Sequence, residues 1–208
     1  MSTSKTGPGV IIVMIGPGGA GKNAIMKALM AENPAIRQLA TATTRRMRGD
    51  EAQGREHLFV SRKRFEQMIA SGELLEYQEV TPGKYYGIPR QTVADGLAAG
   101  EIRIADIEVL GAKVLADTFA DNVVQIFVTA PGATIDEQLA ILKRRMQERA
   151  DPYTDIDQRL QRAEELELPY QSQCDYVVVN DSLSAAIDRT RGIVQRELAA
   201  RQLAGAPK

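Results

Sequence analysis

Only one cysteine, Cys174, occurs in the 208 residues, so no disulfide can form within the chain. Its place beside an apolar, strand-like run reads as a small buried or half-buried packing residue. Neither sign of charge is in excess: 26 Lys and Arg stand against 27 Asp and Glu, a formal net charge of -1, which leaves no global basic surplus for nucleic acid. Long hydrophobic runs are also missing. The apolar stretches are too short to span a bilayer, and the polar start, Met1 to Gly9, is followed by six apolar residues, fewer than the core of a secretion signal. Internal repeats and low-complexity segments are absent. These absences leave a cytoplasmic enzyme acting on small molecules, with no nucleic acid and no membrane as partner, a monomer or homodimer, as the expectation. The length is long for one domain and short for two, which predicts one α/β domain carrying an inserted subregion.

What is present begins with Gly16-Pro17-Gly18-Gly19-Ala20-Gly21-Lys22-Asn23, after the apolar run Val10 to Ile15 and before a helix-like segment, Ala24 to Glu32. Four glycines in six positions let the backbone turn tightly and aim several N–H groups at one point without side chains in the way. The helix that follows adds its positive end, and Lys22 a mobile cation that can reach the outer phosphates of a nucleoside triphosphate. Gly16, Gly21 and Lys22 fit the P-loop spacing in the strand, loop, helix context it needs. The pattern then asks for Ser or Thr to ligate Mg²⁺, and Asn23 stands there instead; an amide oxygen can ligate a hard cation, so Asn23 is the candidate metal ligand. A glycine-rich turn with no ligand is the plainer alternative.

Val10–Ile15 is rich in β-branched residues, as expected of a central parallel strand buried on both faces. Residues 39–60 read as short strands and loops. Ser61 is a plausible N-cap for a helix that Gly72 ends, Glu73 to Val80 reads as a strand, and Thr81-Pro82-Gly83 as a turn into Tyr85-Tyr86-Gly87. Pro89 suits the first turn of a helix running to Gly100. Strands follow at 102–107, 123–129 and 176–179, with helices at 110–119 and 183–198, and a highly charged stretch covers 137–167. Strands alternating with helices imply a parallel sheet flanked on both faces. The tail from Arg201 to Lys208 is small and polar enough to fray.

A second cluster, Thr41-Ala42-Thr43-Thr44-Arg45 with Arg48, gathers hydroxyls and two guanidinium groups soon after the first helix. Arginine forks match phosphate oxygens bidentately, so the cluster suits an acceptor phosphate; a solvated basic loop is the bland reading, and the residues alone leave both open.

With these residues in view, the chain resembles the guanylate kinase family over nearly its whole length. The landmarks are the P-loop; Thr43-Thr44-Arg45 with Arg48, Glu51 and Gly54; Phe59-Val60; Gly72 with Glu76; Tyr85-Tyr86-Gly87; Asp106-Ile107 with Gly111; Arg145 with Arg149; Arg159-Leu160 with Ala163; and Val179-Asn180-Asp181. The resemblance implies a P-loop kinase fold, mostly parallel sheet flanked by helices, with an acceptor-binding insert (about 41–88), an arginine-rich lid (about 133–156) and a core of about 8–40 and 89–200. It implies transfer of the γ-phosphoryl group of ATP, with Mg²⁺, to GMP or dGMP. Gly16, Gly18, Gly19, Ala20, Gly21, Lys22, Asn23 and Asn180 would hold ATP, with Asn180 on the adenine side. Arg45, Arg48, Tyr86, Thr41, His57, Asp106 and Glu108 would line the acceptor site, and Glu76 would accept from the guanine edge. Lys22, Arg45, Arg145, Arg149 and Arg159 would neutralise the transferring group, which suits a reaction between two phosphates that needs positioning and charge rather than a strong base.

The departures cluster on the acceptor side. His57, the only histidine, falls where the family has a phosphate-binding tyrosine; Ile88 stands for a base-reading Ser or Thr; Glu108 lengthens an aspartate by one methylene; Thr41 keeps the hydroxyl of the usual serine. Two other readings therefore accompany GMP kinase: a kinase of another phosphorylated acceptor such as ribose 1,5-bisphosphate, to whose kinases the Glu56-His57 pair, the Tyr85-Tyr86-Gly87 turn and Asn23 are similar, and a catalytically degenerate binding module, against which Lys22 and the lid arginines speak.

Overall fold

The computed structural model describes residues 9–49, 51–148 and 155–204. The chain runs β1 (Val10–Ile15), α1 (Lys22–Glu32), β2 (Ile36–Gln38), β3 (Thr41–Thr43), β4 (His57–Phe59), α2 (Arg62–Ala70), β5 (Leu74–Thr81), β6 (Lys84–Pro89), α3 (Arg90–Ala98), β7 (Ile102–Asp106), α4 (Val109–Thr118), β8 (Val123–Thr129), α5 (Ile135–Glu148), α6 (Ile156–Arg162), a π-helical turn (Ala163–Glu167), α7 (Leu168–Tyr170), β9 (Tyr176–Val179) and α8 (Leu183–Ala204).

Five strands form one parallel sheet in the order β2-β7-β1-β8-β9. Every residue of β1 is buried, and the pleat divides them. Val10, Ile12 and Met14 face a core with Ile25, Met26 and Leu29 of α1 and Ile193 and Val194 of α8. Ile11, Val13 and Ile15 face a second core with Val93 of α3 and Ala112 and Leu115 of α4. Such double burial is why the strand reads as an unbroken apolar run. The expected α/β fold, a parallel sheet between two helical layers, is the one observed.

A separate four-stranded sheet, order β4-β3-β6-β5, stands apart from the first. Here β3 pairs parallel with β4, and β6 lies antiparallel to β3 and β5. Its core is small: Ala42, Phe65, Met68 and Leu74. The Ser61 side chain accepts from Arg64 N–H and caps α2, and Gly72, at φ 69°, follows its end, both as expected. The structure differs in three local respects. Ile36–Gln38 is an edge strand of the main sheet, Tyr85–Gly87 lie within β6, and α8 continues through Arg201 to Ala204, so half of the segment expected to fray is helical. Residues 205–208 lie outside the described residues. Among the described residues no helix is long and apolar enough to cross a membrane.

Candidate active site

The carboxyl end of β1 delivers the glycine-rich loop. Gly16 has φ 133°, and a Cβ there would lie 2.1 Å from the Val128 carbonyl oxygen; Gly21 has φ 99°, and a Cβ would lie 2.3 Å from Asn180 Nδ2. Both positions therefore need glycine for backbone shape and for space. Lys22 opens α1. Its Nζ folds back to donate to the Gly16 carbonyl and, at 3.3 Å, to that of Pro17, while Asp106 Oδ1 at the end of β7 lies 3.5 Å away. Burial raises the Asp106 pKa and the Lys22 charge opposes that rise.

Helices α5 and α6 close on this loop. Leu142 and Met146 pack against Gly19, and Arg159 brings its guanidinium beside Gly18. The Arg145 Nη2 donates to the Asn180 carbonyl at 2.9 Å, and Asn180 Nδ2 donates to the Ala20 carbonyl at 2.7 Å. Asn180, 6% exposed, thus holds the phosphate loop in shape with the amide that the resemblance directed toward adenine.

The second sheet assembles the other cluster. Register places Thr41 opposite His57 and Thr43 opposite Tyr86. Thr41 Oγ1 and His57 Nδ1 are 2.8 Å apart, and the imidazole meets Phe59 and Tyr86 edge to face. Arg45 donates through Nε to the Tyr86 hydroxyl at 3.1 Å, sits over the Phe59 ring, and is gripped by Glu51 through both carboxylate oxygens. Burial, with the Arg45 charge, pushes the His57 pKa down, so this imidazole is neutral at pH 7. Arg48 contributes its backbone N–H to Glu51 and leaves its side chain exposed.

Between the two clusters runs a row of carboxylates. Glu76, on β5, receives Gln78 Nε2 at 3.2 Å. Its Oε1 lies where a Cβ on Gly111 would fall, 2.9 Å away, and Ile88 Cδ1 lies 3.2 Å from the same point, so the absence of a side chain at Gly111 admits both. Burial raises the Glu76 pKa, the Gln78 bond lowers it, and the charge of Glu108 raises it. Ile88 is 1% exposed and belongs to the main core. Glu108, which precedes the first residue of α4, accepts from Arg162 Nη2 at 2.6 Å.

The sequence model of the guanylate kinase family matches residues 9–197. The guanylate kinase of Symbiobacterium thermophilum is 38% identical over 195 residues, 92% of this chain and 87% of that protein, and that of Desulfitobacterium hafniense 36% over 189 residues, 91% and 90%. Among solved structures, guanylate kinase from Anaplasma phagocytophilum superposes with a TM-score of 0.69 at 28% identity, covering 93% of this chain and 88% of that one. The chain belongs to the guanylate kinase family.

As a member of that family it brings together the residues singled out from sequence in two groups, around Lys22 and around Arg45. Arg149 lies outside the described residues. Sequence reasoning gave no role to Glu51, which anchors Arg45, or to Arg162 and Glu167. Glu51 stood among the landmarks of the family, and its spacing from Arg45 was the available signal; Glu167 was one acid in a charged run and carried none. No group of three or more His, Cys, Asp or Glu able to hold a metal occurs among the described residues. Asn23 lies in the first turn of α1 beside Lys22 and is exposed. That open amide fits Mg²⁺ held mainly by nucleotide phosphates and water, the usual arrangement for this ion.

Proposed function

We propose that this member of the guanylate kinase family transfers the γ-phosphoryl group of ATP to GMP or dGMP, giving ADP and the nucleoside diphosphate. The observation that carries the reading is the pairing of two anion-ready sites, the Lys22 loop and the Arg45–Tyr86–His57–Thr41 cluster, with Asp106, Glu108 and Glu76 between them. Residues 41–88 then form the acceptor-binding part, about 133–156 the lid, and the parallel-sheet core the ATP-binding part.

Acceptor phosphate is held by donors the structure leaves available. Because the Tyr86 hydroxyl accepts from Arg45 Nε, its own O–H is free to donate outward. Thr41 Oγ1 and His57 Nδ1 share a hydrogen bond whose direction follows the imidazole tautomer; in the tautomer where Thr41 donates, Nε2–H is a second donor, and Arg48 with the Arg45 charge completes the set. Glu76, ionised, accepts together from the N1–H and amino group of guanine, a pair that adenine does not offer.

On the ATP side, Lys22 exchanges the Gly16 and Pro17 carbonyls for the outer phosphates, and the glycine loop and α1 supply backbone N–H groups. Asn23, together with the nucleotide phosphates, would hold Mg²⁺, which would supply charge neutralisation on the transferring group. Arg145, Arg149 and Arg159 close from the lid side, excluding water so that the γ-phosphoryl meets the acceptor rather than solvent. The acceptor oxygen is already anionic, so no general base is assigned. Cytoplasm, where both nucleotides occur, is the compartment this reading implies.

The test is ADP release from Mg²⁺-ATP with GMP, dGMP, AMP, IMP, UMP, CMP and ribose 1,5-bisphosphate offered separately. Turnover confined to GMP and dGMP is expected. Turnover with ribose 1,5-bisphosphate alone transfers the assignment to that acceptor through His57 and Ile88, and silence across the panel leaves a binding module.

A further inference from the structure

Glu167 is a carboxylate of this region to which no step above gives a role, and it is deeply placed. It is 8% exposed, whereas Leu166 beside it is 45% exposed. The π-helical turn accounts for this inversion. Leu168 N–H bonds back to the Ala163 carbonyl, and the wider turn carries Leu166 off the face of buried Ala163 while Glu167 stays on it. Oε1 comes within 3.6 Å of Arg162 Nε, an ion pair without a hydrogen bond, and both Oε2 and Arg162 Nε are buried with no hydrogen-bond partner.

The charged groups acting on this carboxyl come from four elements: Lys22 of α1, Asp106 of β7, Glu108 at the start of α4 and Arg162 of α6. Helix α5, also packed on the turn, directs Leu142 and Met146 inward, leaves Lys143 and Arg144 exposed, and sends Arg145 to Asn180. α7 brings no charge. With all five groups ionised the cluster carries one excess negative charge, in a place that must receive polyphosphates. One proton makes it neutral.

We propose that Glu167 is a proton-linked residue of the phosphotransfer site, whose Oε2 takes up a proton from solvent as anionic nucleotide binds. The inference rests on the kinase reading above and adds to it a residue and a linkage. Two effects of loading act in the same direction: phosphate charge approaches, and Lys22 is drawn from the cluster toward phosphate. Each disfavours the carboxylate. Burial above all, and the charge of Glu108, already push the carboxyl up to about 7 in the empty protein, with Lys22 and Arg162 pulling against them, so the empty site is poised to accept the proton near neutral pH.

Titration calorimetry with Mg²⁺-ADP and GMP, a pair that cannot react, in two buffers of different ionisation enthalpy, reads the proton directly. At pH 7 the parent is expected to take up about half a proton on loading, rising toward one at pH 8, and its affinity to fall by up to about tenfold per pH unit above 7. Nucleotide phosphates are already ionised there, their second pKa lying near 6. Glu167→Gln, which keeps the shape and mimics the neutral acid, is expected to abolish the uptake and to bind more tightly than the parent at pH 8, a gain that damage to packing does not produce. No uptake by the parent overturns the proposal without any variant. Equal uptake in Glu167→Gln moves the proton to another group, such as Asp106 or His57, and also overturns it. Absence of binding by either nucleotide overturns the kinase reading itself, a result distinct from binding without a proton.

Discussion

Arg45 and Glu51 meet edge to edge, with Nη1 2.7 Å from Oε2 and Nη2 2.5 Å from Oε1. The planar pairing fixes the orientation of the guanidinium to which the proposed function gives the acceptor phosphate, and Arg48 N–H joins the same carboxylate at 2.8 Å. The Arg45 bond above all holds the Glu51 carboxyl down at about 2. A depressed acid contributes stability above its unfolded value of 4.5 and loses it as pH falls toward 2, so the clamp stays intact throughout the neutral range.

Replacing Glu51 by Ala frees Arg45 to turn. The KM for GMP is expected to rise roughly 10- to 100-fold, the scale of a catalytic group misplaced by about 1 Å, while that for ATP stays within about twofold. Steady-state kinetics with each nucleotide varied reads the split; equal losses on both sides would remove Glu51 from the acceptor site.

In the proposed reaction Lys22 is the main protein cation near the γ-phosphoryl group, and Lys22→Ala deletes it. A fall in kcat of at least about 10² is expected, larger than any change in thermal stability, because the protein partners lost are two loop carbonyls and one partly exposed carboxylate. Turnover close to that of the parent contradicts the mechanism.

The raised pKa of Glu76 has a sign that can be read in a pH profile. Its carboxylate is protonated on acidification at a higher pH than an ordinary glutamate, so kcat/KM for GMP is expected to decline toward acid while ATP affinity holds. Glu76→Gln should lose that limb and most GMP selectivity; a variant that retains both shows that the guanine edge is read elsewhere.

Gly16→Ala places a methyl group 2.1 Å from the Val128 carbonyl at φ 133°. Positive φ and the collision together are expected to destabilise the protein by at least about 2 kcal/mol, measurable by urea denaturation. An unperturbed midpoint would mean that the loop relaxes freely.

Glu167 also leaves a mark on the empty protein. Because its folded pKa, about 7, lies above the unfolded 4.5, the folded state binds the extra proton between those values. Stability contributed by the neutral acid is present below about 4.5 and is lost as pH rises through about 7. The melting temperature of Glu167→Gln relative to the parent should therefore increase from pH 5 to pH 8, and a constant difference would place the carboxyl outside this linkage.

What could be read from sequence was what local chemistry encodes. The phosphate loop is legible because Gly16, Gly21 and Lys22 must occupy fixed offsets, and the parallel sheet because β1 and β8 are buried on both faces. The acceptor cluster needed the resemblance, since Arg45 and Tyr86 are 41 positions apart and strands of three residues such as β3 and β4 are too short to show alternation. The π-turn left no compositional trace: Leu166 outside and Glu167 inside reverses what their side chains suggest. The Asn180 amide, expected on the adenine side, also donates through Nδ2 to the Ala20 carbonyl, a bond for which Gly21 leaves room.

That last bond spans 160 positions, from Asn180 to the Ala20 carbonyl. During synthesis the glycine loop leaves the ribosome early, yet the strand that braces it is among the last to emerge. A nascent chain that has passed Lys22 but not Asn180 carries the whole glycine loop without the brace that shapes it. Nucleotide affinity is thus a property of the nearly finished polypeptide, and ATP added during translation should protect the chain only after β9 has been made.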